Sequence, residues 1–574
     1  MEKWVLAAKR ADFQKIGRKY GIDPVIARII RNRDITEDAE INQYLNGTLD
    51  DIPSWKSLKD IDKAVEIISQ KIDLGTRMRI IGDYDIDGVT ATYILLKGFK
   101  RLGANVDTYI PDRIADGYGI HNHLIEKAKE DGVDTIVTCD NGISAADQIA
   151  FAKKMGMTVV VTDHHEVPFE DTEEGRKYKL PLADAIINPK QSDCTYPNKN
   201  ICGAVVAMKL VFALYEKYGI PESEKEDYLE PAAIATVGDI MDLQGENRIL
   251  VKEGLLRLPH TKNKGLKALI RAIGLENQKI SSYDIGFRLG PCINASGRLD
   301  TAMRSLSLLQ CEDEEEAAKL ANDLKALNDS RKALTEQGTE AAYKLINGSD
   351  LKNDRVMVVF LPDCHESLAG IIAGRIREKY HKPAFVLTRG EKSVKGSGRS
   401  TENYSMYEEL VKCDSLLLQY GGHPMAAGFS LEEANIEEFR RRLNENAAKR
   451  LTEDDFIPRV WIDVPMPFEY ITESLIRELE LLEPFGQGNE KPQFALKSLK
   501  IRSARVFGRN RNVVKLSLMN ERGFSMDGVV FTEGDLFMEE MGNSQSMDII
   551  YYPTINEYNG NRSLQLVVKD WKFH

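Results

Sequence analysis

Three aspartates at alternate positions, Asp83, Asp85 and Asp87, end an apolar run and open a helical one in Arg79-Ile80-Ile81-Gly82-Asp83-Tyr84-Asp85-Ile86-Asp87-Gly88-Val89-Thr90. Ile80 and Ile81 suit the end of a buried strand, and Gly88 suits a turn at a helix start. Carboxylates at i, i+2 and i+4 crowd one loop with negative charge, which costs stability unless a cation neutralises it. Hard oxygen donors favour Mg2+ or Mn2+ over softer metals. An Asp-rich loop alone is also what a solvated turn looks like, so the surrounding elements decide.

From about residue 56 to 215, apolar runs alternate with helical patterns. The runs are 78–81, 105–110, 135–139, 158–162 and 185–187; the helices are 61–72, 90–102, 124–131, 145–155 and 203–218. This alternation predicts a parallel sheet covered on both faces, with ligands at the carboxyl ends of its strands. Those ends carry Cys139-Asp140-Asn141-Gly142 and Thr162-Asp163-His164-His165, and a further apolar run at 232–237, which fits strand or helix, is followed by Gly238-Asp239. An Asp at the end of four apolar runs, with a His pair, predicts a convergent metal site.

The 574 residues are too many for one core and predict three or four domains. Hydrophobic content of 42% and charged content of 29% are those of a soluble globular protein. No apolar run approaches the roughly 20 residues that cross a bilayer, and residues 1–10 show no secretory segment, so a cytoplasmic location is expected and a membrane partner is not. The seven cysteines (139, 194, 202, 292, 311, 364 and 413) include no C-x-x-C pair, which argues against zinc and a disulfide framework. A net charge of -12 neither suggests nor excludes a nucleic-acid partner, because local basic patches decide that.

Asp83 to Gly88, Thr138-Cys139-Asp140-Asn141-Gly142-Ile143, Thr162 to His165 and Gly238-Asp239-Ile240 resemble the four motifs of the DHH phosphoesterase superfamily. The stretch from Gly421-Gly422-His423 to Phe429 is similar to the glycine-rich motif of its DHH-associated domain. Asn294-Ala295-Ser296-Gly297-Arg298-Leu299 and the stretch from Leu482 to Asn489 are similar to segments of the RecJ family of single-strand-specific exonucleases. The resemblance spans essentially the whole chain, with the motifs in order. It implies an α/β protein with a parallel-sheet DHH domain (56–245), a long helical linker (246–350), a smaller α/β DHH-associated domain (351–455) and a C-terminal β-barrel of oligonucleotide-binding fold (456–574), after an N-terminal helical segment (1–55). It implies two divalent ions, Mn2+ or Mg2+, on Asp85, Asp87, Asp140, His164 and Asp239, with Asp83 as ligand or as a partner behind the ligands. Asp163 would orient a ligand and His165 would face the scissile phosphate. Some DHH hydrolases carry a metal-binding His four residues before the first Asp of their Asp-x-Asp pair; here that position is Ile81. Two cations roughly 4 Å apart activate water and stabilise the leaving oxygen, and Asp140 is the candidate bridge between them.

The second alternating region, 354 to about 450, has expected strands at 355–361 and 384–387 and helices at 367–380 and 437–451. In it lie His365, a glycine-rich loop with Ser397, Arg399 and Ser400, and the Gly421-Gly422-His423 group, expected to hold phosphates. Arg298, with Arg113 and Ser400, is expected to hold a terminal 5′ phosphate; the alternative is that Arg298 pairs with Asp300 or another carboxylate. Asn294 is a further candidate for substrate contact. Two charged helical stretches, 312–327 and 329–345, read as solvated faces. The C-terminal region shows strand-like runs from 463 onward and basic residues Lys497, Lys500, Arg502, Arg505, Arg509 and Arg511. Phe507, Phe531, Tyr551, Tyr552 and Tyr558 lie nearby, either stacking on bases or filling the barrel. The expected activity is metal-dependent exonuclease cleavage of single-stranded DNA from the 5′ end to mononucleotides, in repair and recombination, by a monomer working with a helicase and a single-strand-binding protein. The rivals are a DHH hydrolase of short oligonucleotides or cyclic dinucleotides, and an inactive replication scaffold of the same fold.

Overall fold

The computed structural model describes residues 2–117, 119–172, 175–558 and 560–574, with the side chain of Tyr558 also outside the described set. The chain divides into two compact units: Pro53–Met241 with Glu253–Pro458, and Met1–Ile52 with Asp242–Lys252 and Arg459–His574.

In the first unit, five strands form a parallel sheet in the order Val106–Tyr109, Met78–Ile81, Thr135–Cys139, Thr158–Thr162, Ala185–Ile187. The central strands are Val/Ile runs buried along nearly their whole length, as a sheet covered by helices on both faces requires. In sequence order the strands lie 2-1-3-4-5, so the direction of winding reverses between Met78–Ile81 and Thr135–Cys139. The crevice at such a reversal is where open α/β sheets bind ligands. The undecided run at 232–237 is helical, within Leu229–Gly238.

The same unit carries a second five-stranded sheet, ordered Leu417–Gly422, Ala426–Leu431, Val394–Arg399, Ala384–Arg389, Met357–Phe360. Only the last pair is parallel. The expected glycine-rich loop is here a strand, Val394–Arg399. A Cβ on Gly396 would lie 2.2 Å from the Phe429 ring and one on Gly398 2.6 Å from the Phe385 ring. The glycines leave room for the aromatic core rather than making turns. The two charged helical stretches are one 34-residue helix, Glu314–Asn347. Asn328, a poor helix former at its middle, is held there because its amide reaches Cys292 Sγ and its carbonyl oxygen accepts from Arg331 Nε.

The second unit contains a closed five-stranded barrel. Phe494–Phe507, Val513–Met519, Ser525–Val530, Asn561–Phe573 and Ser546–Tyr558 pair in that order, and the last pairs back to the first. The N-terminal helices share its core. Ile26, Ile29 and Ile30, from the helix Pro24–Asn32, are buried with Leu479, Phe494, Val514 and Leu516. A strand that the hydropathy pattern does not announce, Lys3–Leu6, pairs in parallel with Arg459–Ile462. Residues 1–55 and 456–574, expected as separate domains, pack their apolar faces together here. Truncating Ile30 to Ala should cost about 2–5 kcal/mol, and hydrogen exchange at Val514 and Leu516 should speed up accordingly. Undiminished protection there would mean that the N-terminal helices add nothing to the barrel.

Candidate active site

The acidic side chains leave the ends of neighbouring elements. Asp83, Asp85 and Asp87 follow Met78–Ile81, Asp140 follows Thr135–Cys139, the Asp163-His164-His165 group follows Thr158–Thr162, and Asp239 follows the helix Leu229–Gly238. Asp85 caps the helix Ile86–Arg101, accepting from the N–H groups of Asp87 and Gly88 at 3.0 Å each. The two Asp87 oxygens accept from the N–H groups of Gly203 (2.6 Å) and Ala204 (2.8 Å), which open the helix Gly203–Tyr218. Two helix N-termini, each carrying partial positive charge, thus face the cluster. Asp140 holds a left-handed backbone, φ 59°, unusual for a residue other than glycine and tolerated best by Asn and Asp.

Oxygens of Asp83, Asp85 and Asp140 lie within 4.8 Å of one another, as do ligand atoms of Asp87, His164 and Asp239. His164 Nε2 is 3.1 Å from Asp140 Oδ1, 3.5 Å from Asp87 Oδ2 and 3.6 Å from Asp239 Oδ2. Asp140 therefore adjoins both groups. Asp83 Oδ1, His164 Nε2 and Asp239 Oδ2 are buried without a hydrogen-bond partner among the described residues. Burial, then the neighbouring carboxylates, push Asp83 and Asp140 well above the carboxylate range and Asp239 to about 8; burial lowers His164. Buried, crowded oxygen donors with one imidazole nitrogen fit divalent cations such as Mg2+ or Mn2+, and the residues present suit them.

His165 is turned differently. Its side chain is 34% exposed against 7% for His164. Its Nδ1 donates to Asp163 Oδ1 at 2.8 Å. Burial alone would lower its pKa, but the charge of Asp163 and this hydrogen bond raise it to about 9. Burial acts against the Asp163 carboxylate too, but His165, His164 and the Ile143 N–H (2.9 Å) hold it down at about 2. Asp163 thus fixes the ring as a hydrogen-bond acceptor.

A cationic group lies in the same unit. Arg113 donates through Nε to the Gly297 carbonyl (3.2 Å), with its guanidinium 3.9 Å from the Tyr84 ring centre. A Cβ on Gly297 would lie 2.3 Å from the Tyr84 carbonyl oxygen, so glycine is what lets this helix rest on the acidic loop. Arg298 donates to the Ser367 carbonyl at 2.9 Å. Burial, then Arg113, Arg331 and Arg399, lower its pKa to about 9. Its suggested partner Asp300 forms an ion pair with Arg304 at 2.6 Å instead. Ser397 and Arg399 abut Gly370 in the first turn of the helix Ala369–Tyr380. His365 Nδ1 lies 2.7 Å from Ser367 Oγ.

Other candidates are placed less directly. The Ser400 hydroxyl is buried and donates to the Tyr404 carbonyl, so it faces inward. Asn294 uses its side-chain oxygen to accept the Ile86 N–H at 2.8 Å, tying its helix to the acidic loop. Gly421 and Gly422 end a strand, and His423 opens the hairpin turn beyond it; Ala426, across that turn, is opposite Arg399. Arg331 is not legible from sequence, because on a charged helix nothing distinguishes it from solvated neighbours. In the barrel, Lys497, Lys500, Arg502, Arg505 and Arg509 are exposed, while Arg511 pairs with Asp535. Tyr551 and Tyr552 are barrel core; Phe507 (48%) and Phe531 (68%) are exposed.

Family models match three parts of the chain: the DHH family, N-terminal domain at residues 77–236, the DHHA1 domain at 353–449 and the RecJ OB domain at 462–570. The single-stranded-DNA-specific exonuclease RecJ of Bacillus subtilis (strain 168) is 35% identical over 551 residues, covering 96% of this chain and 68% of the relative. The chain belongs to the RecJ family. RecJ of Salmonella typhimurium is 34% identical over 569 residues, with 96% of each chain covered. The crystal structure of RecJ in complex with Mn2+ from Thermus thermophilus has a TM-score of 0.83 at 29% identity, covering 99% of this chain and 79% of that one. Its Mg2+ complex gives 0.79 at 28% identity, covering 99% and 78%. RecJ structures thus bind both ions expected for this donor set. For this chain, Mn2+ at 100 times its dissociation constant should stabilise the fold by about 2.7 kcal/mol. Asp140→Asn relieves like-charge crowding, so its melting temperature without metal should hold or rise while the Mn2+ increment shrinks. An undiminished increment in that variant would remove Asp140 from the site.

Proposed function

We propose that this chain is a metal-dependent, single-stranded-DNA-specific exonuclease that works from the 5′ end and releases mononucleotides. The carrying observation is the buried cluster of five aspartates and His164, with Asp140 adjoining both halves. Cations held there supply the positive charge that activates a water and offsets charge on the leaving oxygen. The proposed ligands are Asp83, Asp85, Asp87, Asp140, His164 and Asp239. His165, held by Asp163, faces the phosphate being cut. Arg113, Arg298, Arg399, Ser397 and His365 surround the terminal phosphate; guanidinium forks suit such a group because each binds two oxygens. The inward hydroxyl of Ser400 makes Ser397 the better serine for this role. The exposed basic face and Phe507 and Phe531 of the barrel would carry the rest of the strand.

We place the activity in DNA repair and recombination in the cytoplasm, by a monomer that receives strands opened by a helicase and coated by a single-strand-binding protein. No helix among the described residues is long and apolar enough to cross a membrane. Incubation of end-labelled single and double strands with Mn2+, Mg2+ or chelator tests the reading. Stepwise loss of 5′ nucleotides from single strands only, abolished by chelator and by Asp85→Ala or Asp239→Ala, is expected.

Two further outcomes follow from the arginines. Arg298→Ala should lose roughly 1.5–3 kcal/mol in kcat/KM on 5′-phosphorylated DNA, the scale of a hydrogen bond to a charged group, and much less on 5′-hydroxyl DNA. Equal losses on both would make Arg298 a structural arginine. In the barrel, replacing Arg502 and Arg505 by Ala should lower the slope of log K against log salt by about 1.4, at roughly 0.7 per lost single-strand phosphate contact. An unchanged slope would remove that face from the strand's path.

A further inference from the structure

One exposed feature has no part in the chemistry above. Tyr283 and Phe287 stand one turn apart with rings stacked at 4.6 Å and 24°, and they are 63% and 65% exposed. Single exposed aromatics are ordinary; a stacked pair left in water is not, and such apolar faces mark binding sites. The pair sits where the helix Ser282–Asp284 runs into a π-helical turn, Ile285–Leu289, and then into Gly290–Leu299. Inserted π turns concentrate at functional sites.

The segment that carries the pair packs against the acidic loop and the helix that leads to Asp239. A Cβ on Gly290, three residues after Phe287, would lie 3.0 Å from Ile86 Cδ1, and one on Gly238 would lie 2.6 Å from Ile86 Cγ2. Ile86 sits between Asp85 and Asp87, and Gly238 precedes Asp239. A Cβ on Gly286 would be 3.9 Å from Val237 on the helix that ends at Asp239. Ile240, the next residue, is 69% exposed and has a left-handed backbone, φ 57°. A β-branched residue in that region is strained, and such strain gathers at functional sites.

The helical run also sets an order. Gly290, Asn294 and Arg298 recur every four residues along one face of the helix Gly290–Leu299, and Tyr283 and Phe287 precede that helix across the π turn. Gly290 and Asn294 touch the acidic loop, so the aromatic pair and Arg298 lie to opposite sides of it along the helix. With the terminal phosphate at Arg298, the aromatic pair meets the strand 3′ of the cut.

We propose that Tyr283 and Phe287 form a ledge on which a nucleobase just 3′ of the scissile phosphate stacks. The ledge rests on the exonuclease reading given above. Stacking is indifferent to base identity, since every base has a π-face. It also demands an unpaired base, so the ledge helps to select single strands. The helix supplies the platform and the arginines supply the anchor, so base and phosphate are held on the two sides of the bond that breaks.

The test is a cycle of protein and substrate changes in Mn2+, using 5′-phosphorylated single strands that are intact or carry one abasic site at the second or third nucleotide. Tyr283→Ala/Phe287→Ala should cut intact strands about tenfold less efficiently by kcat/KM, in line with alanine substitution at base-stacking aromatics. Wild type should lose a similar factor on the abasic strand, and the variant should lose little more. Phe287→Trp should quench 2-aminopurine placed at the same nucleotide of a bound strand, and an unquenched probe would count against the ledge. Multiplicative losses, or a double variant as fast as wild type on intact DNA, would overturn the ledge and leave the face to a protein partner. A wild-type protein that cuts no single strand would overturn the exonuclease reading itself, and the ledge with it.

Discussion

Everything in the catalytic unit is arranged around carboxylates that repel one another. Asp83, Asp87 and Asp140 are almost wholly buried, and Asp85 and Asp239 stand beside them. In water such groups would be hydrated and apart. Here burial and mutual charge raise three of them toward the protonated form. The fold supplies partial compensation: two helix N-termini point at Asp85 and Asp87, and a buried imidazole stands among Asp87, Asp140 and Asp239. Helix ends carry about half a charge each at most, so they cannot balance five carboxylates. The remainder is the affinity for cations. The reversal of winding in the sheet concentrates the crowding, because the loops after the first and third strands open into one crevice.

The cluster was legible because its residues sit at strand ends, and strand ends are legible from hydrophobic runs. The predicted runs at 78–81, 135–139, 158–162 and 185–187 are the observed strands to the residue. Contacts made by backbone were not legible. Nothing in the letters of Gly203 and Ala204 says that their N–H groups will meet Asp87, 116 and 117 positions earlier. Likewise nothing in the sequence says that the Ser400 hydroxyl turns inward to donate to the Tyr404 carbonyl. The strand Val394–Arg399 reads as a loop in sequence because its glycines answer to the Phe385 and Phe429 rings across the sheet, and a local pattern carries no trace of those. The joint core of the N-terminal helices and the barrel was hidden for the same reason: its members lie more than 400 residues apart in sequence.

The arginine group is the electrostatic opposite of the carboxylate cluster. Burial and the charges of Arg113, Arg331 and Arg399 act against Arg298, and a guanidinium lowered to about 9 is one whose charge the fold leaves incompletely balanced. Anions would complete that site as cations complete the other. A phosphate chain needs both at once, because its own charge must be held where it is not cut and neutralised where it is.

The two poles are joined by a single rigid element. Asn294 accepts the Ile86 N–H at the acidic loop, and Arg298, one turn later on the same face, donates to the Ser367 carbonyl. Four residues of helix span roughly 6 Å. Gly297 lets that turn lie directly on the Tyr84 backbone, so no side chain widens the gap, and Arg113 donates to the carbonyl of the same residue. A site on a helix holds its spacing better than one on a loop. The spacing between the arginines and the acidic loop is therefore a property of one helical turn. With the terminal phosphate on the arginines, as proposed, that turn would set how far from the end the strand is cut, and hence the size of the product.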